Sequence, residues 1–354
     1  MTPRENLLSL LRRTGYEHAP LDMSLCPSLE QDYRLATGVE GLLDEHFGFP
    51  VRYVADRPVP ARDPDEARAR FNIPLHPETR FDIWGIAHEP GSAKAMHMTR
   101  MRHPLAGIDS LDELKAYPLP DFAAVDGAFQ KAQAAAIHVR GLASGGSMPM
   151  TIWETAWYMR GMEDLMGDMM DDDPKAEWLL DAVTECSCVR AASYAAAGVD
   201  CLFLGDALGM QHSIMMSRDM YRTWLQPRLK RVIDAARAVK PDIIVLYHSC
   251  GYVTPFIPDL MEAGVDVLNP VQPECMDFAE LHATYGEVLS FHGTLGTQTT
   301  MPFGTPDEVR AVVRKNLAIA GPKGGLWVAP THLLEPEVPI ANVLAYVDAC
   351  RNWS

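Results

Sequence analysis

The chain has 354 residues, with 31 Lys and Arg against 47 Asp and Glu, a formal net charge of −16. That sign disfavours general nucleic-acid binding, which needs clustered positive charge. The hydrophobic fraction of 47% is that of a globular chain, and no apolar run reaches the length of a membrane-spanning helix.

In chain order, MTPRENLLSLLRR reads as an amphipathic helix without the long apolar core of a signal peptide. Residues 20–25 and 81–86 are candidate strands. The stretch 30–120, rich in Pro and Arg, reads as an insertion or lid within a single domain covering 1–354. Beyond it, short apolar runs alternate with amphipathic segments. The runs 137–143, 199–205, 243–247, 265–269, 288–291 and 326–329 read as strands buried on both faces. The segments 173–197, 217–239, 254–263, 277–285 and 305–320 read as helices. Asp171-Asp172-Asp173-Pro174 opens the first of these, and Ser217 and Thr305 cap two others. Gly198 and Gly264 stand where helices end. Repeated βα units imply a parallel sheet, and six firm strands plus two candidates predict a TIM-like (β/α)8 barrel.

Active residues of such barrels lie where strands end. The ends read off here are Ser144 to Ser147, Asp206, His248 with Cys250, Gln272, His292 and His332. His248 and Cys250 are two apart on an extended segment, so their side chains point the same way. Imidazole and thiolate together suit Zn²⁺, with His332 as third ligand and an open position for catalysis. Asp206, Glu154 and His292 are reserve ligands or supporting groups, and His292 reads equally as a core histidine. Asp82, flanked by apolar groups in FDIWG, is a candidate catalytic acid. Trp153, Trp157, Tyr158 and Met159 form either a packing face or a pocket wall. Seven cysteines, odd in number and scattered, point to a reducing, cytoplasmic setting.

The stretches FDIWG, ETAWYMRGMEDLM, YHSCGYVTPFIPDLMEAGVDVLNPVQP, FHGTLGTQTTMPFGTPDEVR and THLLEPEVPIANVLAYV resemble the uroporphyrinogen decarboxylase superfamily over nearly the whole chain. The resemblance implies a TIM-like barrel and one of two chemistries. One is metal-free decarboxylation of a tetrapyrrole. The other is zinc-dependent methyl transfer between a small methoxy or methylamino compound and a corrinoid protein, a thiol or a pterin. The decarboxylase signature Arg-Gln-Ala-Gly-Arg-Tyr is replaced here by DMSLCPSLEQDYR, and the methyltransferase motif His-x-Cys-Gly is intact as His248-Ser249-Cys250-Gly251. The expectation is therefore a methyltransferase or demethylase. Zn²⁺ is held by His248, Cys250 and His332, and Glu154 is a possible fourth ligand. Asp206 and Asp82 are catalytic candidates, and Gln272, His292 and Tyr158 are further ligand or substrate contacts. Asp82 matches the decarboxylase aspartate by motif, and Tyr158 falls near its tyrosine. A corrinoid would sit on a separate partner protein. Membrane and nucleic-acid partners are not expected; the oligomeric state stays open, with a homodimer as the candidate because barrels of this kind often pair.

Overall fold

A computed structural model describes residues 1–91, 98–124 and 126–353. Ten strands are present among them: β1 (Val51–Val54), β2 (Arg80–Phe81), β3 (Ala87–Pro90), β4 (Thr99–Arg102), β5 (Ala143–Pro149), β6 (Cys201–Gly205), β7 (Ile244–His248), β8 (Val267–Asn269), β9 (Ser290–Leu295) and β10 (Leu326–Pro330). Seven form one sheet in the order β1-β5-β6-β7-β8-β9-β10, every pair parallel. The sheet curls into a TIM-like barrel, as the alternation predicts. Residues 18–26 run from β10 towards β1. Leu25 pairs in parallel with Leu334, the Tyr346 hydroxyl donates to the carbonyls of Asp22 and Val328, and residues 18–21 share a cleft with Phe47 and Pro50. The predicted strand at 20–25 is thus a single bridge in the eighth position.

Three expectations need correction. Residues 81–86 are not a barrel strand: Arg80–Phe81 belongs to the separate antiparallel sheet β2-β3-β4. The region 30–120, read as an insertion, carries a barrel strand, β1. It was missed because VRYV is short and half polar. Residues 137–143 are mostly not strand. The alanine-rich helix Ala128–Val139 runs through them, and β5 begins at Ala143. The sequence of β5, ASGGSMP, lacks the β-branched signature for a steric reason. A Cβ on Gly145 would lie 2.9 Å from the Phe203 ring, and one on Gly146 2.5 Å from that of Tyr194. Phe203 of the adjacent strand and Tyr194 of the helix Pro174–Ala197 fill the space a side chain would need.

Helix ends follow the sequence signals. Asp173, Ser217 and Thr305 accept hydrogen bonds from first-turn amides. Gly198 and Gly264 end helices with φ of +84° and +110°, a backbone other residues resist. The opening helix Pro3–Leu11, closed by a Thr2–Glu5 capping box, buries Leu7, Leu10 and Leu11 against Val51, Ala143, Cys201, Ile244, Val267 and Trp327. These residues lie on the entry half of the strands, so the helix plugs the barrel floor. Ser144 lies at that floor, not at a strand exit, and bonds Asp200 and His138. The carboxyl end of the strands is the end left for chemistry.

Candidate metal centre

His248 is the final residue of β7 and Cys250 follows one turn of loop later. The loop is held by backbone contact. Tyr252 N–H donates to the Met210 carbonyl, and a Cβ on Gly251, whose φ is +80°, would stand 2.6 Å from that carbonyl oxygen. Only glycine fits there, which gives the glycine of His-x-Cys-Gly a physical reason. The Gln272 side chain, buried, accepts from Gly251 N–H at 3.2 Å. Gln272 therefore steadies the loop.

Cys250 Sγ lies 3.1 Å from His248 Nε2, as the two-residue spacing predicts. His332 follows β10, is exposed, and sets its ring centroid 6.3 Å from that of His248. Cys250, Gln272 and His332 line one cavity of about 340 Å³, together with Met210, Thr297 and Gln298. A second cavity, of about 470 Å³, opens at the barrel floor beside Arg12, Arg13 and Lys323, away from these residues. Burial pushes His248 below the ordinary imidazole range, so a neutral ring is favoured. Burial, and then the Glu154 carboxylate, push the Cys250 thiol up to about 11. A neutral imidazole and a nearby sulfur are the soft donors Zn²⁺ takes, and a bound cation would reverse the thiol's bias by stabilising thiolate. The donor chemistry fits the metal. Among the described residues, no three His, Cys, Asp or Glu side chains are grouped as a ready-made cage. His248 and Cys250 form the preassembled pair, and His332 reaches the same cavity from solvent.

Asp206 has a different place from the one its strand-end position suggests. It is 3% exposed, and its carboxylate accepts from Ile152 N–H at 3.1 Å and Glu154 N–H at 2.9 Å. Helix Trp153–Arg160 has no side-chain cap of its own; Asp206 caps it from a neighbouring strand. Glu154 is held in turn. Its oxygens accept from Ala207 N–H at 3.1 Å and from the Tyr158 hydroxyl at 3.1 Å, and burial raises its carboxyl. Burial also raises the Tyr158 hydroxyl, so it stays a donor.

His292 sits within β9 rather than at its end. It stacks on Trp327 at 4.2 Å, and its Nε2 lies 2.9 Å from Asp22 Oδ2, near enough for an ion pair but off the line of a hydrogen bond. Asp82 directly follows β2. Its Oδ1 accepts from Trp84 and Ile86 N–H, and its Oδ2 faces His88 at 3.2 Å. It closes a tight turn and, among the described residues, is not one of those lining the cavity of Cys250. The sequence reading missed Asn269, which contacts both His248 and His292. Its one signal was a polar residue ending the apolar run VDVLN.

A parallel α/β barrel with an imidazole and a thiol paired at the carboxyl end of its strands defines the class. The chain belongs to the uroporphyrinogen decarboxylase (URO-D) family, whose sequence profile matches residues 100–353. Uroporphyrinogen decarboxylases of Chlorobium limicola and Chlorobaculum tepidum are 25% and 24% identical over 190 residues. The match covers 52% of each chain, so this chain spans about half the length of the curated relatives it matches. Over almost the full length it shares the fold of a methyltransferase from Methanosarcina mazei, with a TM-score of 0.69, 18% identity, and 99% and 98% of the two chains covered. No helix among the described residues is long and apolar enough to cross a membrane.

Proposed function

We propose that this protein is a zinc-dependent methyltransferase, acting between a small methoxy or methylamino compound and a corrinoid protein, a thiol or a pterin. The observation that carries the reading is the His248–Cys250 pair, 3.1 Å from nitrogen to sulfur, whose Cys250 lines a cavity that His332 also lines. His248, Cys250 and His332 would hold Zn²⁺, with Glu154 as a further candidate ligand. The metal would supply Lewis acidity, either to a leaving heteroatom or to an acceptor thiol. The chain's own residues do the rest. Gln272 and Gly251 fix the sulfur's loop, and Asp206 fixes the helix that presents Glu154. The cavity, near the lower end of the range for ligand sites, suits a small donor. A corrinoid carried by a partner protein would reach the metal through the same open end.

The decarboxylase alternative draws on the curated relatives. A polycarboxylate substrate needs cations to replace its hydration, and among the described residues no Arg or Lys lines this cavity. Asp82, the acid that alternative would use, is committed to a turn.

Elemental analysis of protein reconstituted with zinc tests the proposal. About one equivalent is expected in the wild type, with loss in both Cys250→Ala and His248→Ala. Full zinc retention by Cys250→Ala would refute the site. Conversion of uroporphyrinogen to coproporphyrinogen would refute the reaction.

A further inference from the structure

Asn269, the last residue of β8, is buried between two histidines. Its Nδ2 lies 3.1 Å from the main-chain carbonyl of His292 and 3.0 Å from that residue's Nδ1. Its Oδ1 lies 2.5 Å from His248 Nδ1. The two ends of an amide are told apart by their partners, and these partners leave one choice. A carbonyl oxygen can only accept, so the end facing the His292 carbonyl is the NH₂ group. The amide oxygen then faces His248, and it too can only accept. Nδ1 of His248 must carry a hydrogen. In a neutral ring that leaves the lone pair on Nε2, the nitrogen beside Cys250 Sγ.

We propose that Asn269 is a positioning residue: it sets the tautomer of His248 and so presents the Nε2 lone pair on the side where Cys250 places its sulfur. His292 extends the arrangement. Accepting from Asn269 at Nδ1 puts its own hydrogen on Nε2, towards Asp22, while stacking on Trp327 holds the ring. The orienting bonds run from His292 on β9, through Asn269 on β8, to His248 on β7. A His248 without the amide acceptor is free to carry its hydrogen on Nε2, which turns a donor towards the sulfur. Partners of this kind commonly set ligand histidines in metal sites. The tautomer is fixed whether the lone pair receives the thiol hydrogen or an ion. Only the consequence for metal affinity rests on the zinc reading.

The test compares wild type, Asn269→Leu and Asn269→Asp, labelled with ¹⁵N-histidine and freed of metal by dialysis against a chelator. Imidazole ¹⁵N shifts at about pH 8, where a neutral ring predominates, report which nitrogen carries the hydrogen. His248 is expected to be protonated at Nδ1 in the wild type and in Asn269→Asp, because a carboxyl oxygen at this position still accepts from His248 Nδ1. Asn269→Leu, of similar size, is expected to lose that preference. Zinc titration should then show a dissociation constant raised about 10–100-fold in Asn269→Leu, and restored in Asn269→Asp. A wild-type His248 protonated at Nε2 overturns the inference even if the Leu variant does not fold, as does a Leu variant with an unchanged tautomer. A tautomer that shifts with no change in zinc binding supports the positioning role and counts against the zinc reading alone.

Discussion

Replacing Asp206 by alanine removes the acceptor for the N–H groups of Ile152 and Glu154, which lie 3.1 and 2.9 Å from its oxygens. The site is 3% exposed, so water does not take the carboxylate's place. A buried N–H without a partner costs about 1–3 kcal/mol, and two of them with some relaxation amount to about 3 kcal/mol of unfolding free energy. Asp206→Asn is the informative control. Oδ1 already lies within 3.2 Å of both N–H groups, so an amide oxygen can keep both bonds. The asparagine also removes a titration. Burial, and then neighbouring Glu154, push the Asp206 carboxyl up to about 8. The native state therefore keeps a proton that the unfolded chain loses near pH ~4, and wild-type stability falls as pH rises from about 4 towards 8. Urea unfolding of metal-free protein, followed by circular dichroism at about pH 5 and about pH 8, measures both effects. Asp206→Ala is expected to be weaker than Asp206→Asn at each pH, and Asp206→Asn to exceed wild type by a margin that grows from the lower pH to the higher. An alanine variant as stable as the asparagine variant would refute the capping assignment. A gap between wild type and Asp206→Asn that does not widen across this window would refute the electrostatic one.

Asp200, 4% exposed at the barrel floor, accepts from Arg4 at 2.7 and 3.0 Å and from Ser144 N–H at 3.0 Å. Burial alone would raise its carboxyl, but Arg4 and the Ser144 amide outweigh burial and leave it lowered. Its stabilisation is present above the unfolded value near ~4 and is lost as pH falls through the lower native value. Asp200→Asn is expected to cost about 2 kcal/mol at neutral pH, less than a fully buried pair because Arg4 is 37% exposed. The difference should shrink in acid, and a constant difference down to about pH 3 would contradict the pairing. Gly251→Ala forces a side chain into a φ of +80° and against the Met210 carbonyl. A loss of about 2 kcal/mol and weaker zinc retention are expected; unchanged values in both assays would show that the loop does not depend on that contact.

Much of this was legible in one dimension. Period-two geometry places His248 and Cys250 on one side of an extended segment, and the structure has them 3.1 Å apart. Helix starts at Asp173, Ser217 and Thr305 followed from residue type, because a side-chain oxygen two or three positions before a first-turn amide meets it. The alternation of strands and helices determined the barrel for the same reason: periodicity is a property of the local chain. What periodicity does not carry is who stands opposite whom. β5 escaped notice because its glycines answer to Phe203 and Tyr194, distant in sequence. Asp206 and Asp82 read as candidate catalysts because their amide partners, supplied by other segments or by a local turn, were invisible. His292 and Asn269 exchanged roles for that reason too. The sequence by itself determined the βα rhythm and the paired nitrogen and sulfur. The tertiary structure decided which polar groups stay free for chemistry, since a side chain is available only after the buried amides and carbonyls beside it have found their partners.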